Sequence, residues 1–224
     1  MEGRSSHLLG RWHDLPNRVV HRPGLPLARL GDVCAIRSGL SPNMATQPGP
    51  HVLVVPAEER KTADHFDFDG AAVCVPLVSS AGHGKAEIKR IHFEEGQFAL
   101  ASTMCALFVK DATRLNPRFL HLFLSAACDD LLVPLMCGAT NVTMDSSQLA
   151  EVLVPIPPMS TQNEVVHAHQ IARRAEEMLR SAHLLLAATP ETNSQAVISR
   201  VIDDLNDLRQ TVAGSPTVDD FLPT

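Results

Sequence analysis

The chain has no tyrosine, one tryptophan (Trp12), and aromatics at only 4% of its 224 residues. It has no apolar run approaching the 18 residues of a membrane-spanning helix, so none is expected. The start, Met1-Glu2-Gly3-Arg4-Ser5-Ser6-His7, leads into a short apolar pair and then Arg11, without the long apolar region of a secretory leader. There is no basic surplus: 19 basic against 25 acidic residues give a formal charge of −6. On its face that balance argues against a nucleic-acid binder, which usually carries excess positive charge. The five cysteines, Cys34, Cys74, Cys105, Cys128 and Cys137, are odd in number and contain no C-x-x-C pair. That excludes a disulfide framework and a zinc ribbon. Most sit in apolar surroundings, such as Val73-Cys74-Val75 and Met104-Cys105-Ala106, which predicts buried free thiols in a reducing cytoplasm.

The usual carriers of chemistry are missing too. Gly82-His83-Gly84-Lys85 sets glycines beside a lysine, but Ala86 stands where a phosphate-cradling loop needs Ser or Thr. There is no G-x-S-x-G elbow and no H-E-x-x-H pair. His167 and His169 are two apart on a predicted helix and do not share a face. Glu164 and His167 have di-metal bundle spacing, but such sites need carboxylates from other helices. Asn116-Pro117-Arg118-Phe119 resembles the loop with which amino-methyltransferases hold a flipped base. Arg118 breaks that pattern and no glycine-rich cofactor loop precedes it, so Asn116 is expected to cap a helix with Pro117 in its first turn. Asn141-Val142-Thr143 is a glycosylation sequon that a cytoplasmic protein would not use.

What is present is a chain long enough for one cored domain plus an appendage. A lead-in over residues 1–26 ends in Pro23-Gly24-Leu25-Pro26. Leu27 to Ile36 predicts a short helix or turn and then a strand, followed by a Pro/Gly-punctuated loop from Ser38 to Pro50. Strands are expected at Val52 to Val55, Ala71 to Val78 (broken by Pro76), weakly at Ile88 to Phe93, once or twice over Phe98 to Val109, and at Val152 to Ile156. Asn116 to Ala127 has the apolar spacing of an amphipathic helix.

After Pro157-Pro158 the texture changes. Ser160 is expected as an N-cap, with Asn163 and Glu164 in the first turn. Val165, Ala168, Ala172, Ala175, Leu179, Ala182 and Leu186 form an a/d seam. Thr189-Pro190 should stop it. A second, out-of-register seam runs Ile198, Val201, Leu205, Leu208, Val212, until Gly214-Ser215-Pro216. The seams suit either a helical pair packed on its own domain or an arm meeting a partner helix, and their narrowness favours the arm. The expected division is 27–159 as a globular domain, 160–213 as the helical arm broken near Pro190, and 214–224 as a frayed tail. Charge divides similarly: residues 1–120 carry 14 basic and 12 acidic side chains, and residues 121–224 carry 5 and 13. Local positive charge, at Lys85, Lys89 and Arg90 beside His83 and His92, is what phosphate contact requires.

The order of segments resembles a family. Leu27-Ala28-Arg29-Leu30-Gly31-Asp32-Val33 with Ile36 and Ser38-Gly39 resembles the opening of the target-recognition domain of type I restriction–modification specificity (S) subunits. Gly70 to Val78 with Ser79-Ser80-Ala81-Gly82-His83-Gly84, then Glu95-Gly96-Gln97-Phe98-Ala99 with Ser102-Thr103, are similar to its later strands. Leu115-Asn116-Pro117-Arg118-Phe119-Leu120 resembles its helix start. Cys137-Gly138-Ala139-Thr140, Leu149, and Val152-Leu153-Val154-Pro155-Ile156-Pro157-Pro158 followed by Gln162 resemble its closing run. The resemblance covers residues 27–186.

It implies an α/β (α+β) recognition domain with a mixed, mostly β core, followed by a C-terminal helical coiled-coil arm. It also implies double-stranded DNA and methyltransferase subunits as partners, with a nuclease subunit in some systems, and no catalytic centre, cofactor, metal or membrane. One domain instead of two implies a half-subunit that pairs with itself or with another half. Ser79, Ser80, His83 and Lys85, then Ser102 and Thr103, then Thr140 and Asn141, are the candidates for reading base edges. Lys85, Lys89 and Arg90 suit phosphates. Two alternatives stand beside this reading: a protein-interaction module of the same fold, and an enzyme using Cys105 or Cys74 as nucleophile.

Overall fold

The computed structural model describes residues 25–43, 47–81, 84–188 and 191–222. His83 and the side chain of Leu186 lie outside the described residues, as does nearly all of the lead-in.

The domain opens with β1 (Leu27–Arg29), a single helical turn α1 (Leu30–Val33) and β2 (Cys34–Ser38). Strands β3 (His51–Val54), β4 (Lys61–Ala63), β5 (Phe68–Asp69), β6 (Ala72–Pro76), β7 (His92–Glu94), β8 (Gln97–Leu100) and β9 (Met104–Val109) follow. They form two four-stranded sheets, ordered β2-β9-β6-β7 and β4-β3-β8-β5. The first is wholly antiparallel; in the second, β3 and β8 pair in parallel.

Strand periodicity explains the layering. On β6, Val73 and Val75 enter one core while Ala72 and Cys74 enter the other. On β9, Cys105 and Leu107 join the first and Met104 and Ala106 the second. Successive side chains of a strand point to opposite faces. The middle sheet is thus buried on both sides, which is why β6 reads as an unbroken apolar run. The small residues Ala72, Ala99, Ala101 and Ala106 let the two sheets approach around Phe98, Leu100 and Met104.

The other face of the middle sheet is covered by α2 (Pro117–Ala126), whose Phe119, Leu120, Phe123 and Leu124 are buried. Asn116 caps it as expected, accepting from the Arg118 and Phe119 amides. Beyond α2 come a π-turn (Cys128–Leu132), a 3-10 turn (Val133–Leu135), α3 (Ser146–Ala150) and β10 (Leu153–Pro155). β10 pairs antiparallel with β1, so the domain's first and last strands close on each other.

Two long helices, α4 (Met159–Ala188) and α5 (Glu191–Thr211), pack on each other. Val212, just past α5, lines the same recess as Val165, Ala168 and Ala172, so the helices run antiparallel as a hairpin. The helix starts one residue before the expected Ser160 cap. The seam also differs from expectation. Ala168, Ile171, Ala175, Met178 and Ala182 are the shielded positions on α4, whereas Ala172 is exposed and Leu179 is 50% exposed. Val165 is buried, but against the domain core. On α5, Val201, Leu205 and Leu208 are half-buried, while Ile198 is 37% exposed. Steps of three and four can be taken in either order from Ala168 and Ala175, and contact with α5 selects Ile171 and Met178 instead of Ala172 and Leu179. The expected frayed tail is likewise ordered up to Leu222. Val218–Phe221 forms a 3-10 turn, and Phe221 packs edge-on against Phe119 with ring centroids 5.7 Å apart.

Candidate nucleic-acid interface

Three loops meet where β6 ends. The Leu77 amide donates to the Thr103 carbonyl, 2.9 Å, in the turn between β8 and β9. The Met144 amide donates to the Leu77 carbonyl, 2.9 Å, and the Ser79 amide to that of Val142, 2.8 Å. The loop after β6, the β8–β9 turn and the 137–144 loop are therefore stitched together by backbone bonds. A fourth segment joins them, since Asn43 and Thr103 exchange side-chain hydrogen bonds. Gly138 sustains the third loop: its φ of 138° suits glycine alone, and a Cβ there would collide with the Asn141 carbonyl.

This convergence brings together Ser79, Ser80, Lys85, Ser102, Thr103, Thr140 and Asn141, which sequence reasoning had placed in three separate segments. Their hydroxyls are not equally available. The Ser79 hydroxyl donates to the Lys85 carbonyl and accepts from the Glu87 amide at 3.0 Å. The Ser80 hydroxyl donates to the Glu87 carbonyl, 3.0 Å, and accepts from the Lys89 amide, 3.2 Å. These two serines brace their own loop. Ser102, Thr140, Asn141 and Lys85 are exposed and make no side-chain hydrogen bond among the described residues, so their donors and acceptors are unspent. Lys89 and Arg90 lie apart, beside α2: both border a depression with His121, Ser125 and Cys128.

The nucleophile candidates fail on geometry. Cys74 and Cys105 are fully buried, and burial pushes the Cys105 thiol up to about 12 and Cys74 upward as well. Both are thiols at neutral pH, and the attacking species is the thiolate. The fold does assemble a Ser–His–Asp chain that the sequence did not reveal. Ser41 Oγ lies 2.9 Å from His65 Nε2, and His65 Nδ1 lies 2.7 Å from Asp64 Oδ1. It is not built to attack. The Ser41 hydroxyl donates to Asp67 Oδ2 at 2.8 Å, Ser41 is 1% exposed, and its amide is spent on the Leu100 carbonyl. Asp67 Oδ2 also accepts the Leu100 amide, 2.8 Å. The chain is a polar brace between the β2–β3 loop and β8. The hydrogen bond that His65 donates to the Asp64 carboxylate, with the nearby Asp67 charge, raises the exposed His65 above its ordinary value.

A sheet-backed convergence of exposed polar loops, with a helical hairpin carried beyond it, defines a recognition module. The chain belongs to the family of the type I restriction modification DNA specificity domain, which it matches over residues 27–171. In fold it is similar to the S subunit of the type I restriction–modification system from M. genitalium, at 14% identity and a TM-score of 0.56, over 82% of this chain and 50% of that one. It also matches the HsdS subunit from Thermoanaerobacter tengcongensis, at 18% identity, a TM-score of 0.47, and 86% and 50% of the two chains. A third match is a chain solved for the complex assembly and conformational transition of the type I R-M system, at 18% identity, a TM-score of 0.49, and 97% and 52% coverage. No curated protein matches. The chain spans about half the length of the solved chains it matches.

Proposed function

We propose that the chain is a DNA sequence-specificity subunit that reads one half of a bipartite site and docks methyltransferase subunits. The family match over residues 27–171 carries this reading. The three-loop surface supports it, because Ser102, Thr140 and Asn141 offer small and amide side chains suited to base edges in the major groove. Lys85 supplies a phosphate contact beside them. Ser79 and Ser80 shape the loop that presents Lys85. The subunit itself is non-catalytic; methylation, and cleavage where a nuclease subunit is present, belong to partners. No helix among the described residues is long and apolar enough to cross a membrane, and a prokaryotic cytoplasm is the compartment in which this reading places the chain. The second half of the site is read by a second recognition domain, on another copy of this chain or on a different half-subunit, met through the helical hairpin.

Enrichment of a randomised duplex library by mobility shift, with and without the modification subunit, tests the reading. The expected result is one enriched half-site sequence, stronger with the partner present. Absence of enrichment in both cases overturns it.

A further inference from the structure

The helix side of the domain holds a cleft of about 600 Å³ between β7, α2 and α4. Five arginines line it: Arg60, Arg90, Arg118, Arg173 and Arg174. Three have acidic partners. Arg60 pairs with Glu94 and Arg118 with Glu95, while Arg173 reaches Glu177 only at 3.9 Å. Arg90 and Arg174 are exposed and have no ion pair among the described residues. Two guanidinium groups thus border one concavity without an ion pair of their own; the carboxylate in its lining, Glu177, lies beside Arg173. Arg118 is held in place from below, its guanidinium 4.5 Å from the centroid of the Phe93 ring.

Around these charges stand three imidazoles, on His92, His121 and His169. Burial is the first cause holding each below its ordinary value, and neighbouring arginines add to it. The histidines are neutral, so the excess charge is guanidinium. A guanidinium fork matches phosphate oxygens and stays charged at any physiological pH. Ile91, Leu122 and Val166 give the cleft an apolar floor on which a sugar can rest.

We propose that this cleft is a binding site for a phosphate ester, distinct from the base-reading loops. The DNA backbone is the favoured source, and that assignment rests on the function proposed above. Lys85 on the loop face and Arg90 in the cleft are joined by five residues of chain, at most about 17 Å when extended. Both therefore lie within reach of one duplex, whose major groove is about 12 Å wide. A free nucleotide carries the same chemistry and is the alternative source.

The double variant Arg90→Gln/Arg174→Gln tests the site, because neither side chain is buried or ion-paired and its loss leaves the packing intact. For duplex binding by the full chain with its modification subunit, log affinity against log salt should lose about 1.8 in slope, roughly 0.9 per phosphate contact, with sequence preference unchanged. Separately, inorganic pyrophosphate and a mononucleotide, titrated into the full chain, should shift the imidazole proton resonances of His121 and His169 saturably, and not in the variant. An unchanged salt slope together with silent imidazoles overturns the site while leaving sequence reading intact. Saturable imidazole shifts in a protein that binds no duplex, even with its partner, keep the phosphate site, make the free ester its ligand, and overturn the DNA assignment.

Discussion

At the scale of single residues, the buried polar groups decide most. Gln162 is fully buried and uses its whole amide. Its Nε2 donates to the Arg114 carbonyl, 3.0 Å, and the Pro157 carbonyl, 2.8 Å, while its Oε1 accepts from the Asn116 amide, 2.8 Å. One side chain thereby ties the start of α4 to the entry of α2. Gln162→Leu leaves the buried Pro157 carbonyl unpaired and removes the partners of the part-buried Arg114 carbonyl and Asn116 amide, and should cost about 2–3 kcal/mol, read as a lower urea midpoint at unchanged m. His92 sets a pH dependence. Burial holds its pKa at about 4, against the Ala57 carbonyl bond that raises it and the nearby Arg60, Arg90 and His121 charges that lower it further. The native imidazole stays neutral while the unfolded one takes up a proton below about 6.5. Stability is therefore complete above that pH and is lost as pH falls from 6.5 toward 4, by roughly 2–3 kcal/mol by pH 4.5. Denaturation curves at pH 7 and 4.5 should show that loss in the native protein and a smaller one in His92→Gln. Equal losses in both proteins reject the assignment. Gln162 stood out in the sequence only through a family resemblance, and the Ser41–His65–Asp67 brace not at all. Partners 24 to 26 residues apart meet only once β3, β5 and β8 are paired.

Elements with a periodic signal of their own were legible. Asn116-Pro117 with Phe119, Leu120, Phe123 and Leu124 specified α2 in full, cap included, because cap, first turn and apolar face all agree. Asn116 does more than cap, since its amide also donates to Asn163 on α4 at 2.9 Å. Asn116→Ala should cost about 1–2 kcal/mol, the upper end of an N-cap loss, visible as a lower thermal midpoint. A drop under about 0.5 kcal/mol would show the cap to be idle. By contrast β4 and β5, of three and two residues, carry no usable period and exist because β3 and β8 offer them edges. The expected strand at Ile88 to Phe93 shrank to His92–Glu94. Ser79 and Ser80 capture the backbone of residues 85–89 as a loop instead, a competition between side chain and ladder that composition does not show. The three-loop surface was legible as candidate residues but not as a surface. Its assembly depends on the amide and carbonyl of Leu77, a backbone fact with no side-chain signature.

For the molecule as a whole, the charge split at residue 120 was readable but falls inside α2 instead of at the start of the hairpin, and the hairpin's orientation was not readable at all. A heptad stripe states that a helix has a partner without saying whether that partner lies in the same chain. Here α5 occupies the α4 seam, so any second copy must use another face. At 100° per residue in an antiparallel pair, Leu179 on α4 and Ile198 and Ile202 on α5 fall on one flank of the hairpin. Their exposures, 50%, 37% and 51%, are high for large apolar side chains. A second copy presenting the same apolar flank about a two-fold axis is the occupant that buries it on both sides. Leu179→Asp/Ile202→Asp places charges on that flank and leaves Ala168, Ile171, Ala175 and Met178 facing α5. In solution the native protein should have twice the 24.3 kDa chain mass, and the double variant the mass of one chain with unchanged helical circular dichroism. Met178→Asp is the contrasting substitution, because it charges the seam between α4 and α5 and should lower the thermal midpoint. A native protein that is already one chain in mass, or a double variant that remains paired, rejects the flank as the site of pairing.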